Sequence, residues 1–290
     1  MPRAFRFGVS LMNPVPADEW RAKCRRAEQL GYDVILVPDH LGMPAPFPAL
    51  VAAAEATSRP RLGTFVLNAG FWNPTLLARE VATTDALTGG RLELGLGTGY
   101  VQAEHDTAGL PYGSARERVD HLRHTVQELD RLLGPAEDQP RVPLLIGANG
   151  DRLLRLAAEH ADIAAFTGAR SVPGSTTGAL AALTAEELDE RVAAYRRLAA
   201  GRAEPAELNV LIQLVVATDD REAAVRELLP RVPHLTARQA LDLPILLLGT
   251  PEQLTAQVLA QRERYGFSYL TVLEPYMEAF GVVVEALRGQ

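Results

Sequence analysis

Arg61–Tyr100, RLGTFVLNAGFWNPTLLAREVATTDALTGGRLELGLGTGY, carries the pattern on which the fold turns. A short apolar run, Arg61–Leu67, gives way to an amphipathic stretch, Pro74–Leu87, and a second short apolar run, Leu92–Leu96, follows. Strand period, helix period and strand period in succession mark a βαβ unit, because parallel strands need a crossover helix between them. The alternation extends outward in both directions. Strands are predicted at Phe5–Leu11, Tyr32–Val37, Arg61–Leu67, Leu92–Leu96, Val142–Ile146, Asp162–Phe166, Leu208–Ala217 and Ser268–Leu273. Helices are predicted over Ala17–Leu30, Phe47–Thr57, Pro74–Leu87, Ser114–Leu133, Asp151–Glu159, Ala185–Ala200, Arg221–Leu229 with Glu252–Tyr265, and Pro275–Leu287. Eight strand–helix pairs in 290 residues predict an α/β fold, a (β/α)8 TIM barrel spanning residues 1–290 as one domain. An open doubly wound sheet uses the same alternation but usually fewer strands. Around Pro230–Leu248 the pattern breaks into short pieces, read as an insertion between strand seven and strand eight.

Composition narrows the chemistry. The chain is 47% hydrophobic with 36 acidic and 29 basic side chains, which excludes disorder, collagen-like repeats and a disulfide scaffold. Lys23 is the only lysine, and it lies in the charged helical stretch Arg21–Arg26. A Walker phosphate loop and Schiff-base catalysis each need a lysine elsewhere, so both are excluded. A net charge of −7 with scattered arginines offers no basic stripe for nucleic acid. The longest apolar runs, such as Val34–Pro38 and Leu243–Gly249, fall well short of the roughly 20 residues of a membrane-spanning helix. With no secretory pattern at the N-terminus, a cytoplasmic location is expected. Cys24 shares a helical stripe with Trp20 and Ala27 and reads as a core thiol.

In a TIM barrel the ligand groups follow the carboxyl ends of the strands. Those positions hold Asp39–His40, Asn68–Ala69–Gly70, Gly97–Thr98–Gly99, Gly147–Ala148–Asn149–Gly150 and Thr167–Gly168. Glycines admit a ligand to backbone N–H groups, and the helix opening at Asp151 offers free amides suited to a phosphate-bearing cofactor. Gly95–Gly99 matches a dinucleotide fingerprint only loosely, since Tyr100 stands where the last glycine belongs. His40 is the acid–base candidate, following Asp39 at a strand end. Asp120, His121 and His124 share a helix start and could mimic a metal pair, but the i, i+3 spacing lacks a third ligand nearby, and no metal is expected. Two connections are long, Thr98–Gly113 and Thr167–Thr184. Within the second, Gly168–Gly178 reads equally as a mobile lid or a polar linker.

The stretches Arg61–Leu67, Asn73–Arg79, Asp85–Tyr100, Pro143–Gly150 with Ala157–Ala158, and Gly249–Leu254 together resemble the luciferase-like monooxygenase family over nearly the whole chain. The resemblance implies a TIM barrel that binds FMN or the deazaflavin coenzyme F420 in its mouth. Val37–Pro38–Asp39–His40 is similar to the F420-dependent branch. It implies that Asp39 contacts the deazaflavin and that His40 moves a proton beside the hydride-carrying carbon. It implies a non-prolyl cis peptide at Phe65–Val66 behind the cofactor ring, with Gly147, Ala148 and Asn149 near the ribityl and phosphate, while Asn68, Gly97, Thr98, Gly99, Gly150 and Thr167 are cofactor candidates by their place at the strand ends. Where the glucose-6-phosphate dehydrogenases of that branch carry a glutamate, this chain has Tyr100. With no lysine to grip a phosphorylated sugar, the expected substrate is an apolar or carbonyl-bearing small molecule. Phe71, Trp72 and Tyr100 either contact that substrate or pack the loops. The implied activity is hydride transfer between F420 and a small organic substrate by a homodimer. An FMN-dependent monooxygenase using O2 and a non-catalytic flavin-binding protein are the alternatives.

Overall fold

In the computed structural model, which describes residues 3–134 and 141–290, the chain opens with β1 (Arg6–Ser10), α1 (Ala17–Leu30), β2 (Val34–Val37) and α2 (Pro46–Ala56). Next come β3 (Arg61–Thr64), β4 (Leu67–Asn68), α3 (Pro74–Leu87), β5 (Leu92–Gly97), α4 (Gln102–Ala108) and α5 (Ala115–Leu133). The middle of the chain holds β6 (Leu144–Gly147), α6 (Asp151–His160), β7 (Ile163–Phe166), β8 (Ala169–Ser171), β9 (Leu180–Ala182), α7 (Ala185–Leu198) and β10 (Glu207–Ile212). It ends with β11 (Leu214–Ala217), α8 (Arg221–Leu228), α9 (Ala237–Leu241), β12 (Leu246–Gly249), α10 (Pro251–Tyr265), β13 (Tyr269–Leu273) and α11 (Met277–Leu287). The main sheet runs β3-β2-β1-β13-β10-β7-β6-β5-β4, and β3 also pairs with β5, so the sheet closes on itself. Every barrel pairing is parallel, and β3 and β4 share one of eight barrel positions.

The helices start where the chain offers caps. Asn73 accepts from the Thr75 and Leu76 N–H groups ahead of Pro74, and Ser114, Thr184 and Thr250 form capping boxes with Glu117, Glu187 and Gln253. Each such cap is worth about 1 kcal/mol. The larger core lies between strands and helices, while a smaller cluster of Val34, Leu36, Leu145, Ile163, Ala165 and Tyr269 carries Phe65 and Val66 packed against it. At the amino ends of the strands Arg6 pairs with Glu93 and with Glu207, and its guanidinium lies 4.6 Å from the centre of the Tyr269 ring. Charge and bulk occupy that end of the barrel, leaving the carboxyl end to open as the mouth.

The structure differs from the sequence pattern in where strand seven ends and in what the long connections hold. Strand seven ends at Ile212 instead of continuing to Ala217, because Leu214–Ala217 leaves the barrel and pairs in parallel with Leu246–Gly249. The residues between these two strands carry α8 and α9, so the break in pattern at Pro230–Leu248 belongs to a separate β-α-α-β excursion. The long connection after β5 contains the helix α4, and Gly168–Gly178 belongs to an antiparallel hairpin, β8 with β9, instead of a plain linker. Among the described residues no helix is long and apolar enough to cross a membrane.

Candidate active site

Asp39 and His40 leave the end of β2 side by side. The Asp39 carboxylate accepts the backbone N–H of Asn68 at 3.1 Å and the indole N–H of Trp72 at 3.1 Å. Burial pushes its carboxyl above the ordinary aspartate value, against the pull of those two hydrogen bonds. The peptide bond between Phe65 and Val66 is cis, as the resemblance implies, and it falls between β3 and β4. Asn68 is buried, its amide oxygen accepting the Gly70 N–H and its amide nitrogen donating to His105 Nε2 at 3.0 Å. His105 in turn donates from Nδ1 to the Pro111 carbonyl at 3.0 Å.

His40 Nδ1 lies 2.9 and 3.1 Å from the two carboxylate oxygens of Glu104, and the Tyr100 ring meets the imidazole edge-on at 5.8 Å. Glu104 and His105 both come from α4 and were not among the residues singled out from the sequence. Seven residues are too few for a helical period to be legible, but a Glu-His pair inside a long connection at the catalytic face was the available signal.

A cavity of about 220 Å³ opens beside Asp39 and His40, walled by Met43, Pro44, Phe47 and Trp72 among others, with no lysine or arginine in its lining. Trp72 also packs edge-on against Phe47 at 5.3 Å. Phe71 instead packs on His105 at 5.0 Å and does not line this cavity. Tyr100 is 39% exposed and also touches the β8–β9 hairpin: a side chain added at Gly178 would meet its ring at 2.8 Å.

The glycines of the strand-end set serve two different ends. A Cβ at Gly97 would fall 2.6 Å from Val66 Cγ2, and one at Gly99, whose φ is +67°, would fall 2.2 Å from Asn68 Oδ1. Both are therefore required by neighbouring protein atoms. Gly150 is different, since a Cβ there would meet nothing within 4 Å. It precedes α6 without a side-chain cap, so no N-cap side chain takes up the first N–H groups of that helix. Asn149 beside it accepts the Thr167 hydroxyl at 2.7 Å, linking the ends of β6 and β7, whereas Ala148 is buried with its N–H donated to Ala165. This uncapped terminus fits the phosphate of a phosphate-bearing cofactor. His121 donates from Nε2 to the Ala69 carbonyl at 3.0 Å, which supports the turn after β4. Among the described residues no three His, Cys, Asp or Glu side chains converge on a metal position.

These features define a TIM-barrel protein whose polar strand-end groups gather at the carboxyl mouth, around a histidine and a largely apolar cavity. The family model for luciferase-like monooxygenase matches residues 4–245, and the chain belongs to that family. It is 40% identical over 118 residues to an F420-dependent glucose-6-phosphate dehydrogenase of Intrasporangium calvum, covering 37% of this chain and 35% of that protein. It is 30% identical over 229 residues to the enzyme of the same name from Nakamurella multipartita, covering 69% of this chain and 64% of that protein. The matched region thus spans less than two thirds of each of these relatives. Among solved structures, a coenzyme F420 dependent tetrahydromethanopterin reductase from Methanopyrus kandleri superposes with a TM-score of 0.73 at 17% identity, over 99% of this chain and 100% of that one. That likeness establishes the shared fold.

Proposed function

We propose that this protein is an F420-dependent oxidoreductase that moves a hydride between the deazaflavin and a small uncharged alcohol or carbonyl compound. The observation that carries the reading is the meeting of Asp39 and His40 at the wall of a cavity with no lysine or arginine in its lining. The F420-dependent relatives support the cofactor. Bound F420 supplies the hydride acceptor or donor. Asp39, Phe65, Val66 and Asn68 are the residues to hold its ring, and the amides at the start of α6, with Asn149 and Thr167, are those to hold its phosphate. His40 exchanges the proton with the substrate oxygen, and Met43, Pro44, Phe47 and Trp72 enclose the substrate's apolar part. A phosphorylated sugar finds no cation in this lining, so glucose 6-phosphate is a poor substrate. The same reading takes the chain as one barrel domain, paired as a homodimer in the cytoplasm.

Tryptophan fluorescence tests it, because Trp72 hydrogen-bonds to Asp39 and reports directly from the site. F420 should quench saturably and bind at least about tenfold more tightly than FMN, a difference of about 1.4 kcal/mol. Retention of FMN with no binding of F420 overturns the proposal in favour of a flavin-dependent monooxygenase. Secondary alcohols should reduce bound F420 where glucose 6-phosphate does not.

A further inference from the structure

The short helix α4 fixes two strand-end groups with consecutive residues: Glu104 meets His40 and His105 meets Asn68. Both Glu104 oxygens face the same ring nitrogen, and both side chains are largely enclosed, with 26% of the His40 side chain and 16% of the Glu104 side chain exposed. We propose that Glu104 is a positioning residue that holds neutral His40 as the Nδ1–H tautomer, leaving Nε2 as the base for a substrate hydroxyl. This rests on the hydride-transfer reading above.

An ionised carboxylate can only accept, so the nitrogen facing Glu104 must carry the proton, and the other nitrogen of a neutral imidazole then carries the lone pair. In the oxidative direction the substrate O–H bond breaks with its proton going to Nε2. The electron pair left on oxygen becomes the second C–O bond as the hydrogen on the adjacent carbon departs as hydride to the deazaflavin F420 of the hydride-transfer reading. In the reductive direction hydride from reduced F420 reaches the carbonyl carbon, the C=O π pair moves to oxygen, and the imidazolium returns its Nε2 proton to that oxygen. Glu104 steadies the imidazolium in both, the role an acidic partner plays for histidine in a catalytic triad. The titratable groups facing His40 are Glu104 from α4, Asp39 beside it in the chain, and Tyr100 from the turn after β5.

Nitrogen-15 NMR of histidine-labelled protein, above the pH at which the imidazole protonates, reads the tautomer without any cofactor. The chain has six histidines, and a His40→Gln variant assigns the signal. Wild type should show His40 as Nδ1–H. Glu104→Ala, and the isosteric Glu104→Gln whose amide N–H can donate to Nδ1, should both shift it to the Nε2–H form that a free imidazole prefers. His105 should remain Nδ1–H in all of them as an internal control. In turnover, kcat should fall about 10- to 100-fold with substrate KM and F420 affinity within about twofold. A wild-type His40 already in the Nε2–H form, or a tautomer unmoved in both variants, overturns the inference. Failure of F420 to bind wild type would sink the functional reading while leaving the tautomer result to be read on its own.

Discussion

The indole N–H of Trp72 and the carboxylate of Asp39 are joined at 3.1 Å, tying the end of β2 to the turn that follows β4. The same oxygen, Oδ2, also accepts the Asn68 N–H. An asparagine whose amide oxygen takes that place keeps both bonds and removes the buried charge. Asp39 therefore separates structure from function in a single substitution.

Asp39→Asn should fold at least as stably as wild type near neutrality. Burial raises the Asp39 carboxyl in the native state, so between the ordinary value of 3.8 and that raised value the native state binds more protons than the unfolded one. Wild-type stability then falls across this window as pH rises and levels off above it, whereas Asp39→Asn is spared that loss. Urea unfolding from pH 4 to 7 should show the variant gaining on wild type and then running parallel. F420 affinity should drop about tenfold, a loss of about 1.4 kcal/mol. Parallel stability curves throughout, with no gain, would show that the carboxylate carries no buried-charge penalty.

Gly99→Ala tests the contact between the turn after β5 and Asn68. The alanine meets two obstacles, a φ of +67° and an Asn68 oxygen 2.2 Å from its Cβ. Displacing Asn68 breaks its bond to His105, so the expected cost is about 2 to 4 kcal/mol. Gly150→Ala, into open space, should cost under about 1 kcal/mol while weakening F420 binding. Thermal melts of the two variants give the comparison, and equal losses would contradict the assignment of these glycines to different roles.

The eight barrel strands were legible because each is a short apolar run set between amphipathic helices, and the order of strands follows from parallel pairing. The end of strand seven was not. Leu214–Ala217 is as apolar and β-branched as the strand before it, and what removes it from the barrel is its partner Leu246–Gly249, some thirty residues onward. The strand-end half of the candidate site, Asp39, His40 and Asn68, was legible as a place to look, because barrel geometry brings strand ends together at the mouth. The helical half was illegible, because Glu104 and His105 act through contacts made across the mouth by a seven-residue helix. At Gly97 and Gly99 the absence of a side chain admits Val66 and Asn68, a packing demand that a strand-end pattern of glycines does not announce.

Cys24 should be silent in the native protein. It is fully buried on the inner face of α1, and burial pushes its thiol up to about 12. Because the thiolate is the reactive species, a disulfide reagent at pH 8 should find no thiol in the folded chain and one per chain in denaturant. Rapid native labelling would mean that α1 opens readily, and would place its docking among the weakest in the barrel.

Lys23, the single lysine, donates to Glu274 Oε1 at 2.7 Å, and Glu274 Oε2 accepts the backbone N–H groups of Met12 and Asn13 at 2.7 and 3.0 Å. One carboxylate thus joins α1 to the chain just beyond β1 and β13, so the lysine serves the mouth's framework instead of a substrate. Burial alone would raise the Glu274 carboxyl, but its hydrogen bonds to Lys23, Met12 and Asn13 prevail and hold it below the ordinary value of 4.5. A depressed native value gives stability that is fully present above pH 4.5 and lost as pH falls through the native value. Glu274→Gln should therefore cost about 1 to 3 kcal/mol at pH 7, with the deficit shrinking toward acid pH. Lys23→Met should cost less, since the two backbone donors remain. In a double-mutant cycle the two changes should couple, because they remove the two halves of one hydrogen bond. Additive losses in urea unfolding would show that Lys23 and Glu274 act on the mouth independently.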